Sequence, residues 1–535
     1  MDRLLKSQPL VITILAIVAS LIGVLATILF SVNPVLVILA GLSSGLTVIA
    51  IWRPTWGVVI FFLMLPLADL SKRLLFLGGD TVSTLEFQGT LLLPDIILLG
   101  VFIRALFDLI TKRVKYTFLW VDGLFAAFFL WGLFQIIYPT ADIYVGMIAF
   151  KSSLFYMLLY MVVRLYFEAN PWLYKRVLSV ILIGATIGAI YSWYQLLFGF
   201  PSFEIEWLGS GLSFLASPEQ LETGGGTIAL FNVIRPFSIF ASHEQLGFYL
   251  VAGIVALLYL IEEHRWLYIL MPVLGVTLIR VLSRSSWVAG GVTLGVALLI
   301  VLWKRQWGKM ASILAMGMCL ALALYFVVIN PISFMQMQTQ TQTQTQTQTQ
   351  TQDTGDIQDR AFATGPYEWR VFSYEAFLQL PDWRPLIGNG TGSMWYAWRL
   401  QRPDTTVPTA TMIREWGGVT QMPSGFRVLS HIGMIGIIYE YGFIGMGIFL
   451  SICGGVLFLA LRTLYFESFN ANENLWLITL MVGYVCGVLL ANSTVAALLI
   501  FRPISAPFWL AISYIVNKTA GGNRRISSVA TLASR

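Results

Sequence analysis

The sequence predicts an all-α polytopic membrane protein with about 12–14 transmembrane helices and one large loop outside the bilayer. Composition is the first of three observations behind that prediction. Of 535 residues, 57% are hydrophobic and 11% are charged, with a mean hydropathy of +0.77; a soluble domain carries about 25% charged residues. Single water-soluble cores stop growing near about 250–300 residues, so lipid has to solvate most of this chain. The second observation is a recurrence of apolar runs near the ~20 residues a helix needs to span hydrocarbon. The third is that the basic residues of the short connections gather on one side.

Taken in order, the run Pro9–Phe30 opens the series. It has a basic start in Arg3 and Lys6 and no small-residue cleavage site before the next run, so it reads as an uncleaved first span. Further runs cover 33–52, 56–70, 90–110, 119–138, 146–166, 177–199, 244–261, 266–282, 287–303, 310–330, 432–461, 475–497 and 501–517. That makes about fourteen, with short or merged runs setting the lower bound. Arg3, Lys6, Arg53, Lys112, Arg113, Lys115, Arg164, Lys175, Arg176, Arg265, Lys304, Arg305, Lys309, Arg462, Lys518, Arg524 and Arg525 all fall on one face, which the positive-inside rule makes cytoplasmic. Lys72 and Arg73 are the exception on the opposite side. Both termini come out cytoplasmic.

Five regions follow. Residues 1–200 hold N-terminal transmembrane helices, and 201–330 hold core helices with arginine motifs. The large outer loop is 331–430, C-terminal helices occupy 431–517, and 518–535 form a cytoplasmic tail. The loop contains an alternating tract, Gln338–Gln352, of Thr and Gln. It has no apolar face to bury and is expected to be a disordered, deletable insertion. The net charge of +6 reflects cytoplasmic anchors and does not argue for nucleic acid. Cys319, Cys453 and Cys486 lie in apolar runs without metal-ligand spacing and read as small hydrophobes.

Beyond the tract the loop interleaves aromatic and basic residues. Trp369, Trp383, Trp395, Trp398 and Trp416 stand among Arg370, Arg384, Arg399, Arg402 and Arg414. Aromatic faces stack on sugar rings and guanidinium groups hold phosphates or carboxylates; an interfacial aromatic belt accounts equally for any single Trp. His431 stands where the loop enters the next apolar run. At ~100° per residue, a helix beginning there carries Gly442 and Gly445 within about 40° of the imidazole's face, open to a neighbouring helix or a lipid chain. Glu440 falls about half a rotation away. His264 sits in a charged cytoplasmic turn and His243 at an outer helix start.

Arg235, Arg284 and Arg370 lie at or near the outer surface, with Arg280 one turn before Arg284 and Ser285 or Ser286 placed to cap the helix that follows. A helix N-terminus with an arginine suits an anion; headgroup anchoring explains one arginine alone as well. Lys151 and Arg104 fall inside spans, where charges face protein or a wet cavity. Lys151 is toward the outer end, and Arg104 toward the inner.

In order and spacing these motifs resemble the O-antigen ligase/polymerase family of bacterial envelope glycosyltransferases. That family ends its periplasmic loop with His, a polar residue, nine positions, Gly, two more and a small residue. Here the stretch is His431-Ile432, nine residues, then Gly442-Phe443-Ile444-Gly445. Ile432 departs from the polar residue. Ser283-Arg284-Ser285-Ser286-Trp287 resembles the family's Ser-Arg-small-small-aromatic step. Pro385-Leu386-Ile387-Gly388-Asn389-Gly390-Thr391-Gly392 resembles its glycine turn, and Arg235 through Gly247 the opening of the conserved half. Arg370 resembles its loop arginine, with Tyr374 departing from the Leu that follows in the family. The likeness covers roughly residues 230–450.

The resemblance implies a GT-C-type fold and inverting, metal-independent transfer from an undecaprenyl-pyrophosphate-linked glycan donor to a glycan or lipid acceptor at the periplasmic face. It implies no cofactor. The expected site has His431 activating the acceptor hydroxyl, Arg284, Arg370, Arg235 and Lys151 on the pyrophosphate, and Trp369, Trp395 and Trp398 on the glycan. No Asp-x-Asp or His/Asp/Glu cluster stands out as a metal site. A transporter of a small anion is the alternative class, and a non-catalytic polysaccharide scaffold a third.

Overall fold

The computed structural model describes residues 34–78, 92–114, 116–138, 143–167, 170, 172–209, 235–326, 384–393, 433–467, 474–493, 498 and 502–533. Among them there are helices and turns and no strand. In chain order the α-helices are α1 (Pro34–Trp52), α2 (Pro54–Leu74), α3 (Leu93–Ile110), α4 (Trp120–Ile137), α5 (Ile143–Ser153), α6 (Leu158–Tyr166), α7 (Trp172–Phe198), α8 (Ser202–Gly209), α9 (His243–Leu260), α10 (Leu270–Arg280), α11 (Arg284–Trp303), α12 (Trp307–Leu324), α13 (Gly433–Phe466), α14 (Asn474–Asn492) and α15 (Arg502–Ala533). Seven of the described helices, α4, α7, α9, α11, α12, α13 and α14, are long and apolar enough to cross a membrane. An apolar helix satisfies its own backbone, so such segments are compatible with a polytopic membrane protein.

Most expected spans that fall on described residues are helices, with four differences. The run 146–166 is interrupted: α5 stops at Ser153 and a 3₁₀ turn, Phe155–Met157, precedes α6. The run 266–282 opens as a 3₁₀ turn, Arg265–Ile269, and leaves α10 only 11 residues long. The connection after Pro201 starts with the short helix α8. The last helix runs past residue 517 to Ala533, so most of the expected tail is helical. Pro9–Phe30, the Thr/Gln tract and most of the large loop lie outside the described residues.

The chain divides into two compact units, one of Met1–Tyr116, Met161–Ser283 and Met318–Thr354, the other of Thr117–Tyr160, Arg284–Gly317 and Gly355–Arg535. In the first, α7 packs on α2, α9 and α10, and α3 on α1 and α2. Small residues set the approach of α7 to α9, with Gly253 over Ala185 and Gly184 under the Tyr249 ring. In the second, α11 lies along α14, α13 along α4, and α15 against α13 and α14. There Gly483 and Gly487 meet the backbone carbonyls of Thr293 and Ala289 so closely that neither has room for a Cβ. Membrane helices lack a hydrophobic drive toward one another, so this close backbone packing supplies their association.

Candidate functional site

The second unit contains a broken helix with a loop seated in the break. Gly442, inside α13, has φ 68° and ψ −176°, a conformation essentially confined to glycine, so α13 is two segments, 433–441 and 443–466. Such a break would orphan backbone groups that hydrocarbon cannot satisfy. The turn 384–393 takes them up. In an unbroken helix Phe443 N would donate to Tyr439 O and Ile444 N to Glu440 O. Instead Tyr439 O accepts from Asn389 N (2.8 Å) and Glu440 O from Gly390 N (3.1 Å), while Phe443 N donates to Pro385 O (2.8 Å) and Ile444 N to Leu386 O (3.2 Å). Tyr441 O accepts from the Trp131 indole (2.9 Å).

Helix α4 holds the other side of the turn. The Gln135 amide, fully buried, donates to Ile387 O. Gln135 O accepts from Thr391 N (3.3 Å), and the Thr391 hydroxyl reaches Gly132 O (3.3 Å). Gly388, Gly390 and Gly392 have φ of 81°, 96° and 81°. Gly388 and Gly442 touch backbone to backbone, and a Cβ on either would overlap the other strand of the contact. Expected as a residue on the stripe below His431, Gly442 is instead the hinge of a break. The angular relation drawn from a continuous helix ends there.

At the start of the first segment, Gly433 lies against the Asn492 amide, whose Oδ1 accepts from Leu498 N (3.1 Å). His431, two residues before this segment, is outside the described residues, as are Arg370, Trp369, Trp395 and Trp398. Lys151 is in the last turn of α5 and half-buried. Arg284 opens α11, half-buried, so Ser283 rather than Ser285 or Ser286 immediately precedes the helix.

The first unit gathers polar groups at one end. Ser242 caps α9 by accepting from Gln245 N (3.2 Å). His243, buried, has its Nε2 3.3 Å from Arg235 Nη1. Gln195, at the end of α7, accepts from Ser238 N (2.7 Å) and donates to Glu204 on α8 (2.8 Å). Glu204 forms a fully buried ion pair with Arg73 of α2. Burial pushes the Glu204 carboxyl above its ordinary value, and Arg73 and Gln195 act against that. Lys72 is paired with Asp69 (2.9 Å). The two bases that stood out on the wrong face of the charge pattern are thus each matched with an acid.

Family models, curated proteins and solved structures each return no match to this chain.

The geometry therefore carries the site. It brings together the turn 385–392 and the stretch 439–445, which sequence order separates by about fifty residues, and it sets Arg235 against His243. Arg104, expected near the inner end, pairs with Asp108 (3.1 Å), which also accepts from the Tyr166 hydroxyl (2.8 Å). Gln135, Glu204, Asn492 and Asp108 were not singled out by sequence; a buried amide or acid inside an apolar run was the available signal. Among the described residues no group of three His, Cys, Asp or Glu side chains is arranged to hold a metal ion.

Proposed function

We propose that this protein is a membrane glycosyltransferase of the O-antigen ligase/polymerase type, with a GT-C-like fold of about 12–14 spans and its loop and active site on the periplasmic face of a bacterial inner membrane. One observation carries this reading: the glycine turn 385–392 and the Gly442 stretch, two of the segments on which the resemblance rests, are locked together backbone to backbone. A joint of that kind fixes the first segment of α13, and so the point from which His431 leaves it.

In the proposed reaction the acceptor hydroxyl attacks the anomeric carbon of an undecaprenyl-pyrophosphate-linked glycan. The new C–O bond forms with inversion as the bond to the pyrophosphate breaks, and His431 receives the hydroxyl proton. Arg284, Arg370, Arg235 and Lys151 meet the charge that grows on the leaving pyrophosphate. Trp369, Trp395 and Trp398 stack on the glycan, and membrane lipid hosts the undecaprenyl tail.

A second reading, transport of a small anion, draws on the interrupted helices at Gly442 and at Ser153–Leu158, since transporters build sites from discontinuous helices. Reconstitution with a lipid-linked glycan and an acceptor distinguishes the two. Glycosyl transfer predicts release of undecaprenyl pyrophosphate, lost at least a hundredfold in His431→Ala and Arg370→Ala variants that insert normally. Full activity in either variant, or anion counterflow without glycan transfer, would overturn the proposal.

A further inference from the structure

Arg280, the last residue of α10, is 3% exposed, and its Nε and Nη1 groups are buried without a hydrogen-bond partner. Buried guanidinium groups are normally paired, because removing the charge from water is costly unless an anion or several acceptors compensate. Helix α10 has no acidic residue of its own; α7, α9 and the 3₁₀ turn Arg265–Ile269 pack on it, and Cys319 and Leu320 of α12 meet it at Gly275. Their positions fix where the arginine sits. Trp193 of α7 donates to Thr277 (3.0 Å), one turn before Arg280, while two residues beyond Trp193 Gln195 accepts from Ser238 N. Arg280 therefore lies at the polar end of the first unit, the end that carries Arg235, Ser242 and His243. Of the acids at this end, Glu204 is committed to Arg73 and Gln195, and Glu244 stands beside His243 in the first turn of α9; neither bonds to Arg280 Nε or Nη1.

We infer that Arg280 is the fixed cation of a binding site for a phosphate-class anion at this end of the first unit. The guanidinium fork pairs bidentately with phosphate oxygens, and a phosphate, with roughly two negative charges, compensates a desolvated cation better than a singly charged carboxylate. The same chemistry is offered by free phosphate and by the phosphodiester of an anionic lipid. The inference is independent of glycosyl transfer and is read without it.

The full-length protein is purified in a zwitterionic detergent, and its unfolding temperature followed against inorganic phosphate, with acetate as the carboxylate control. In parallel it is placed in nanodiscs of phosphatidylcholine with and without phosphatidylglycerol, and retained lipid counted by native mass spectrometry. Stabilisation by phosphate but not acetate identifies a free anion; retention of phosphatidylglycerol with no phosphate response identifies a lipid headgroup. Arg280→Met should abolish whichever effect appears while leaving the ligand-free protein at least as stable, since an uncompensated buried charge is removed. Arg280→Lys, which keeps a charge, should retain part of the effect. Wild-type protein showing neither response, responding equally to acetate, or an Arg280→Met variant with an undiminished response overturns the inference, and the first two outcomes need no variant to fold.

Discussion

Gly442 shows most directly what one residue decides in this protein. Its φ of 68° with ψ −176° is closed to side-chain-bearing residues, and a Cβ there would run into the Leu386 carbonyl. Gly442→Ala should therefore cost about 2–4 kcal/mol, combining a strained backbone of about 1–3 kcal/mol with overpacking. Gly388→Ala meets the same contact from the other side, so the double variant should cost less than the sum of the two singles. Unfolding in detergent measures both, and additive losses would show that the two glycines do not share one contact. Sequence spacing picked out Gly442 and the turn 385–392, but as a stripe and a motif. The break was hidden because a lone glycine in an apolar run is as common in an unbroken membrane helix. Lys72 and Arg73 looked anomalous for a related reason: charge counting sees bases singly, and the acids that match them are Asp69 in the preceding turn and Glu204, 131 residues away.

At the scale of elements, the pair α11 and α14 is held by backbone contact rather than by interlocking large side chains. Gly483 and Gly487 are one turn apart on α14 and press on Thr293 O and Ala289 O, which are one turn apart on α11. Thr293 donates its hydroxyl to Ala289 O (2.6 Å), and that hydroxyl lies against Gly487, where a Cβ would meet it. Gly487→Ala should push the helices apart and lower stability by about 1–3 kcal/mol, whereas Gly291→Ala, on α11 with open space around it, should be near neutral. A fall in unfolding temperature of equal size in both would show that intrinsic helix preference, and not this packing, is being read. Elements of this kind were legible as spans, because length and hydropathy survive any packing arrangement. Their partners were not, since every face of such a helix is apolar and periodicity names no buried side. The interruptions after Ser153 and at Arg265–Ile269 escaped for the same reason: both lie in runs whose composition alone is continuous.

For the whole molecule, we propose an orientation from the charge distribution, which predicts which ends of which helices share a compartment. Lys112 and Arg113 follow α3, His264 and Arg265 follow α9, and Lys304 and Arg305 follow α11. Placing these connections on one side sends α9 outward to inward and brings α10 back. The polar end of the first unit, with Arg235, His243 and Arg280, then lies on the opposite side from the basic connections. On the same proposal α4 leaves the side of Lys112 and Arg113, so the turn held at its far end, with Arg384 at its foot, is expected on the side away from those bases. Single cysteines introduced at Lys112, His264, Arg305 and Arg384, all exposed, test this with a membrane-impermeant maleimide once Cys319, Cys453 and Cys486 are replaced. In intact spheroplasts Arg384→Cys should label, and the other three only after the membrane is opened. Labelling of Lys112→Cys, His264→Cys or Arg305→Cys from outside would reverse the orientation. It would also place Arg235 on the cytoplasmic side, where the proposed periplasmic lipid-linked donor could not reach it.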